Sequence, residues 1–368
     1  MRARSSSKLT CVDAFSGAGG MRLGLQWAGI DVVFAFDLDG KCVATQNANA
    51  ACFAPPAEQA DIRELLHGSL LRKTGLEPGQ LFLLAGGPPC QGFSIQRIGS
   101  DEDERDNLVL AYLELIGELM PQYFLMENVP GILGARGKSY SSLLLAGVQK
   151  IGYSVSLKTL NAADYGVPQR RKRVIVIGAR GQRGSLDDVF PVPSTPEGSR
   201  VTVREAIGML PPPPDDPRAE PAIPNHVRDR LSPLNLRRLA AVGPGEGRTN
   251  LPPELLAACH LRSADEIGHR NVYGRMEWDK VAPTITARFD SFTRGQFGHP
   301  EQLRSITLRE GALLQSFPID FEFCGTKVEV ARQIGNAVPP LFARALGEAI
   351  IMHYRVSSRR AQICCRLR

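Results

Sequence analysis

Leu9-Thr10-Cys11-Val12-Asp13-Ala14-Phe15-Ser16-Gly17-Ala18-Gly19-Gly20 opens on a short apolar run and closes in a glycine-rich turn. Residues 9–14 read as a strand, and the stretch from the glycines to Trp27 as a helix. A strand that feeds a helix through glycines lets a ligand approach the backbone and leaves helix N–H groups pointing at it. The same alternation recurs outward from this stretch. Residues 30–36, 81–85, 123–126 and 174–177 read as further strands. Residues 107–120 carry Leu108, Tyr112, Leu115 and Leu119 on one side of a helix. Strands alternating with helices predict an α/β fold: a mostly parallel, Rossmann-like sheet with helices on both faces.

With 368 residues the chain can hold one large domain with an insertion, or two domains. Its 43% hydrophobic and 22% charged residues fit an ordinary globular protein. No apolar run reaches the roughly eighteen residues of a membrane span. Residues 1–8 are basic and serine-rich without a long apolar segment behind them, so no cleaved signal peptide is expected. The eight cysteines form no C-x-x-C pair and sit near no histidine cluster, so no metal is expected. Cys11, Cys42, Cys52, Cys259 and Cys324 read as buried, inert thiols. The net charge of +6 invites a nucleic-acid reading, but Arg355, Arg359, Arg360, Arg366 and Arg368 supply five of those charges in an acid-free tail. The rest of the chain is nearly neutral, so any basic surface must be local.

Composition changes after residue 180. Prolines multiply, including Pro211-Pro212-Pro213-Pro214, and helical periodicity breaks up. Tyr273, Trp278, Phe289, Phe292 and Phe297 could still supply a small core. Regular patterning returns at Ser305, with one helix over residues 306–317 opened by Thr307 and another from Pro340 to about Tyr354. The expected layout is a catalytic and cofactor-binding part over 1–180, a smaller irregular domain over 181–303, a C-terminal return over 304–354, and a basic flexible tail over 355–368.

Two further blocks follow strands. Gly86-Gly87-Pro88-Pro89-Cys90-Gln91-Gly92-Phe93-Ser94 presents a cysteine behind two stiffening prolines. An inert core thiol needs no such presentation; a nucleophile does. Glu127-Asn128-Val129-Pro130 would leave the sheet at the same carboxyl edge. At the other end of the cleft, Asp37 stands twenty residues past Gly17, where a carboxylate can accept from ribose hydroxyls. Asp61, beside Ile62, could end a further strand and meet an adenine amino group. These features alone suit NAD, flavin and S-adenosylmethionine enzymes alike, and a tight turn beside a solvated acid would also account for Asp37. The glycines do not spell G-x-G-x-x-G, which speaks against a pyrophosphate-bearing dinucleotide.

Taken in order, the blocks resemble the motifs of the cytosine-C5 DNA methyltransferase family, of the bacterial restriction-modification or orphan type. Residues 13–20 resemble its first cofactor motif, Pro88-Pro89-Cys90-Gln91 its nucleophile motif, and Glu127-Asn128-Val129 its acid motif. Gln169-Arg170-Arg171-Lys172-Arg173 resembles its Gln-x-Arg-x-Arg motif. Residues 305–318, with Thr307-Leu308-Arg309-Glu310, resemble the motif that supports the recognition domain. Gln333-Ile334-Gly335-Asn336-Ala337-Val338-Pro339-Pro340 resembles the last motif, which in that family returns to the cofactor site. The resemblance spans roughly residues 9–350.

The resemblance implies an S-adenosylmethionine-dependent methyltransferase fold with a target recognition domain, and a catalytic set of Cys90, Glu127, Arg171 and Arg173. It implies S-adenosylmethionine as cofactor, leaving as S-adenosylhomocysteine, at Phe15, Gly17, Gly19, Gly20, Asp37, Asp61, Ile62, Pro88, Leu108, Asn336 and Val338. It implies double-stranded DNA as partner, with Gln91 and Gln169 among the contacts. The segment from Phe93 to Asn107 reads as a closing loop whose Ser94, Gln96 and Arg97 suit phosphate or base contacts, although its five acids restrict how much of it can touch DNA. In the recognition region, residues 278–300 with Arg288 and Arg294 are the favoured docking stretch; a hairpin with solvated arginines is an equal reading. A cognate restriction endonuclease, a monomeric state and a cytoplasmic, nucleoid-associated setting complete the expectations. Two alternatives stand. The tRNA-methylating branch of the family tends to carry Cys-Phe-Thr where this chain reads Ser291-Phe292-Thr293. A catalytically silent DNA-binding scaffold would have no use for Cys90, Glu127 and the Gln-x-Arg-x-Arg block together.

Overall fold

The computed structural model describes residues 8–89, 107–134, 145–182, 186–216, 220–258 and 271–366. Cys90, Gln91, Ser94, Gln96 and Arg97 lie outside the described residues. The chain divides into two compact units. The first comprises Met1–Asn161, Lys172–Pro193 and Pro340–Arg368; the second comprises Ala162–Arg171 and Ser194–Pro339.

The first unit is built on seven strands: β1 (Thr10–Ala14), β2 (Asp31–Asp37), β3 (Glu58–Gln59), β4 (Leu83–Gly86), β5 (Tyr123–Asn128), β6 (Tyr153–Asn161) and β7 (Lys172–Arg180). Their order in the sheet is β3-β2-β1-β4-β5-β7-β6. All pairs from β3 across to β5 are parallel, and β7 alone runs against its neighbours β5 and β6. The parallel strands put the carboxyl ends of β1, β2, β4 and β5 on one edge. From β1 the order proceeds to β2 on one side and to β4 on the other, which makes that junction the switch point where such sheets bind ligands.

Helices α1 (Gly20–Trp27), α2 (Gly40–Ala48), α3 (Ser69–Thr74) and α4 (Asn107–Leu119) connect the strands. The α4 stripe forms as the spacing predicts: Tyr112, Leu115 and Leu119 are buried against Val12, Ala14, Phe36, Leu84 and Phe124, and Leu108 packs partly buried on the same core. Val12 and Ala14 face that core, so by strand alternation Cys11 and Asp13 face the opposite side of the sheet.

The second unit holds α5 (Val203–Ile207), α6 (Pro233–Ala240), α7 (Leu308–Leu314) and α8 (Lys327–Asn336). A small core of Leu239, Val242, Leu251, Leu255, Val272, Tyr273 and Phe292 stands beneath irregular backbone. Phe289 and Phe297 are buried too, while Trp278 is half-buried. In place of a ladder, Arg275 reaches into the loops. Its guanidinium donates to the carbonyls of Leu239 at 2.7 Å, Val242 at 3.1 Å and His299 at 3.1 Å. Buried carbonyls without a regular partner need such donors.

The first unit closes with α9 (Pro340–Arg366), which packs on α1. The approach is close: a Cβ on Gly24 would lie 2.1 Å from the Pro340 carbonyl oxygen.

Several features differ from expectation, these four among them. α9 runs to Arg366 rather than ending near Tyr354, because no glycine or proline interrupts the stretch beyond Tyr354. β6 is an additional strand; its alternating polar residues suit a sheet edge and give no apolar run to read. α8 is an additional helix, opened by the capping box of Thr326 and Glu329. Cys52 is exposed, since it lies in the turn after α2, and Cys324 is half-buried rather than buried, whereas Cys11 and Cys42 are buried as expected; Cys259 lies outside the described residues. Among the described residues no helix is long and apolar enough to cross a membrane.

Candidate active site

The glycine turn after β1 is held from both sides. Phe15 takes φ 55°, a left-handed conformation that costs a residue with a Cβ on the order of 1 kcal/mol or more. Its ring packs on Phe36 and Tyr112. Gly19, at φ 85°, precedes α1, and a Cβ there would come within 2.7 Å of the Phe53 ring. Both constraints at Gly19 demand glycine. Among the described residues no side chain caps α1, so its first-turn amides other than that of Arg22 can meet a polar ligand group.

Asp37, at the end of β2, accepts from the Gly17 N–H at 2.8 Å through Oδ2 and from the Asp39 N–H at 2.8 Å through Oδ1. The acid expected to meet a ribose therefore also fixes the turn. Asp61 lies two residues past β3 and opens the 3-10 turn Ile62–Leu65. Arg63 grips its carboxylate through Nε at 3.0 Å and Nη2 at 2.5 Å, and those bonds hold its pKa below the usual value. A carboxylate has about four acceptor sites, so one more donor can still be met. Ile62 is buried in the core and Pro88 is buried just past β4.

Asp13, beneath this turn, is 1% exposed, and among the described residues neither carboxylate oxygen has a hydrogen-bond partner of good geometry. Burial pushes its carboxyl up to about 7; Arg22 opposes the rise through its charge and backbone amide, and Asp37 adds to it. In an unfolded chain this group ionises near about 4. Between about 4 and 7 the folded protein therefore keeps a proton that the unfolded chain releases, and stability falls as pH rises through that window. Asp13→Asn removes the effect. The melting temperature of the variant, measured against wild type, should improve on going from about pH 5 to about pH 8. An offset that is constant with pH would show that Asp13 is not the group responsible.

At the chemistry end, Glu127 is the penultimate residue of β5 and is 8% exposed. Its Oε1 lies 2.8 Å from Nε of Arg173 on β7. A Cβ on Gly87 would stand 3.6 Å from the Glu127 Oε2, which places the chain just past β4 against this carboxylate. Asn128 completes the connection: its Nδ2 donates to the Pro88 carbonyl at 3.0 Å. The Glu-Asn-Val block marks this strand end in the sequence, but nothing in it signals that task for Asn128.

Arg171 and Gln169 belong to the second unit. The Arg171 guanidinium is buried and donates to the carbonyls of Ile285 at 3.0 Å, Gly335 at 3.0 Å and Ala337 at 2.9 Å. Gln169 is buried as well; its amide donates to Leu314 O at 2.9 Å and accepts from the Ile285 N–H at 3.0 Å. Expected at the base and the nucleic acid respectively, both side chains instead brace backbone of their own unit here. Asn336 is exposed at the end of α8 and Val338 is buried. Arg294 is exposed at the end of the 3-10 turn Phe292–Arg294, and Arg288 is half-exposed beside Asp290, 3.1 Å from its Oδ1. Residues 278–300 form turns and isolated bridges rather than a hairpin.

The sheet order with one reversed strand, the glycine turn at its switch point and the acid at the adjoining strand end define a ligand site at the carboxyl edge of an α/β sheet. The chain belongs to the C-5 cytosine-specific DNA methylase family, whose model matches residues 9–352. It is 37% identical to the Type II methylase M.HgiDII of Herpetosiphon aurantiacus over 92% of this chain and 94% of that protein. It is 35% identical to the Type II methyltransferase M1.HphI of Haemophilus parahaemolyticus over 93% of this chain and 87% of that protein. A solved E. coli structure, described as a DNA modification methyltransferase encoded within a prophage, superposes with a TM-score of 0.69 at 26% identity and covers 94% of this chain and 99% of its own.

Proposed function

We propose that this chain methylates C5 of a cytosine extruded from a specific sequence in duplex DNA, with Cys90 as nucleophile and S-adenosylmethionine as methyl donor. The observation that carries the reading is the Glu127–Arg173 pair, set against Gly87 at the root of the Cys90 loop.

The turn fits the donor. The uncapped α1 amides suit its carboxylate, Asp37 its ribose, and Asp61 with Ile62, Pro88 and Leu108 its adenine. When bound, S-adenosylmethionine supplies an electrophilic methyl group. The chain's own residues do the rest. The Cys90 thiolate adds to C6 of the ring, breaking its conjugation and placing electron density on C5. Glu127 holds N3 and the exocyclic amine, favouring protonation of the ring as the adduct forms. Arg173 keeps that carboxylate in place. After transfer the C5 proton leaves to a base and the C6–S bond breaks, returning the thiolate. A thiolate suits both steps because it attacks and departs readily. Gln169 and Arg171 act as positioning residues through the backbone they hold. Sequence readout falls to the second unit within residues 194–303, where Arg288 and Arg294 are the proposed contacts. The Type II relatives make a restriction endonuclease of the same site the expected functional partner.

The test offers tritiated S-adenosylmethionine with either duplex DNA or bulk tRNA. Label in DNA is expected, and bisulfite mapping then locates the site. Label in tRNA alone would overturn the DNA reading, and label in neither would favour a silent binding protein.

A further inference from the structure

Gln46 lies on α2, in none of the blocks that carry the chemistry, and is fully buried. Its Nε2 donates to the Ser16 hydroxyl at 2.7 Å and to the Gly17 carbonyl at 2.8 Å. Its Oε1 accepts from Arg22 Nη1 at 3.1 Å. The amide cannot be turned over: a guanidinium only donates and a carbonyl only accepts, so the oxygen must face Arg22 and the nitrogen Gly17. Arg22 is itself fully buried, donates also to the Pro55 carbonyl, and lies 4.8 Å over the Phe53 ring. Phe53 is the ring that the Gly19 Cα approaches too closely for any Cβ.

The Gly17 residue is thus gripped at both polar ends, its N–H by Asp37 and its carbonyl by Gln46. We propose that Gln46, oriented by Arg22, is a positioning residue that presets the Ser16–Gly20 turn for the cofactor. The inference rests on the methyltransferase reading above and goes beyond it, because it names the group that makes the turn rigid before any ligand arrives. A turn rich in glycine samples many conformations unless its peptide groups are tied, and ordering it on binding would weaken affinity. Gln46 removes that cost for cofactor binding alone; among the described residues its side-chain hydrogen bonds go to Ser16, Gly17 and Arg22 and not to Glu127.

Gln46→Met keeps the volume and deletes all three bonds. Gln46→Glu keeps an acceptor for Arg22 but cannot donate to Gly17. Binding of S-adenosylhomocysteine is measured by calorimetry on the full chain, with no DNA and no turnover. Gln46→Met should raise Kd about tenfold to a hundredfold, the loss expected for one to three buried hydrogen bonds. Gln46→Glu should fall between it and wild type. In steady state, KM for S-adenosylmethionine should rise by a similar factor while kcat and KM for DNA stay within about threefold. A general loss of structure would lower kcat and raise both KM values together, and would overturn the proposal. So would an unchanged Kd in a folded Gln46→Met protein. If wild type itself failed to bind S-adenosylhomocysteine, the cofactor reading would fall first, so the two failures are separable.

Discussion

Cys90→Ser is expected to lower methyl transfer to duplex DNA by on the order of a thousandfold or more, while DNA and cofactor binding persist. The physical reason lies in the first step. A free thiol ionises near about 8.5, so a useful fraction is thiolate at neutral pH and neighbours can enlarge it. A serine hydroxyl is almost never ionised there, and its oxygen is a harder nucleophile and a poorer leaving group from a carbon adduct. The variant should therefore fail at both addition and elimination. A duplex with 5-fluorocytosine at the target gives a second readout, because the proton that must leave C5 is replaced by fluorine. Wild type should form a denaturation-resistant complex with this DNA, and peptide mapping should place the link on Cys90. Cys90→Ser should form none. A trapped complex on another residue, or transfer undiminished in the variant, would remove Cys90 from the mechanism.

Much of this site is legible in the sequence because its chemistry is local. A strand, a glycine turn and an acid at the next strand end sit within residues 10–37 and predict the switch point that β1, β2 and β4 then form. Glu127 is legible for the same reason, standing at the end of an apolar strand. What ties these pieces together is not legible. Gln46 reaches Ser16 across thirty residues and Asn128 reaches Pro88 across forty. Neither bond leaves a pattern in composition or spacing, because a single buried amide carries it. The Gln-x-Arg-x-Arg block illustrates a subtler gap. Residues 169, 171 and 173 alternate with the exposed Arg170 and Lys172, as an extended chain requires. Yet Arg171 ends in backbone carbonyls of the second unit, whereas Arg173 meets Glu127 within the first. Periodicity gives them a common face but not separate partners. In the second unit, the aromatic core is readable from Tyr273, Phe289, Phe292 and Phe297, but the carbonyl-capping role of Arg275 is not, since an arginine in a proline-rich region reads as solvated.

The Glu127–Arg173 pair yields the second large effect. The two side chains are only 11% and 13% exposed, and their charges lie 2.8 Å apart. Removing one member of a buried pair leaves the other charge poorly solvated, at about 3–5 kcal/mol, so each single change should disturb the partner as well as itself. Glu127→Gln should reduce kcat by about a hundredfold to ten-thousandfold, the range for losing a proton-handling group in the transition state. Arg173→Ala should cost nearly as much, because it frees the carboxylate from its fixed place beside Gly87. If the two act as one device, the double variant should be hardly worse than the less active single one, and the cycle should show strong coupling. Additive losses would mean that Arg173 works elsewhere. The rival for Arg173 is an ordinary basic patch on the DNA backbone, and salt distinguishes the two. An arginine that pairs with a DNA phosphate would, once replaced, reduce the slope of log Kd for DNA against log salt by about one. An arginine committed to Glu127 should leave that slope unchanged while transfer collapses, because its charge is already matched inside the first unit before DNA arrives.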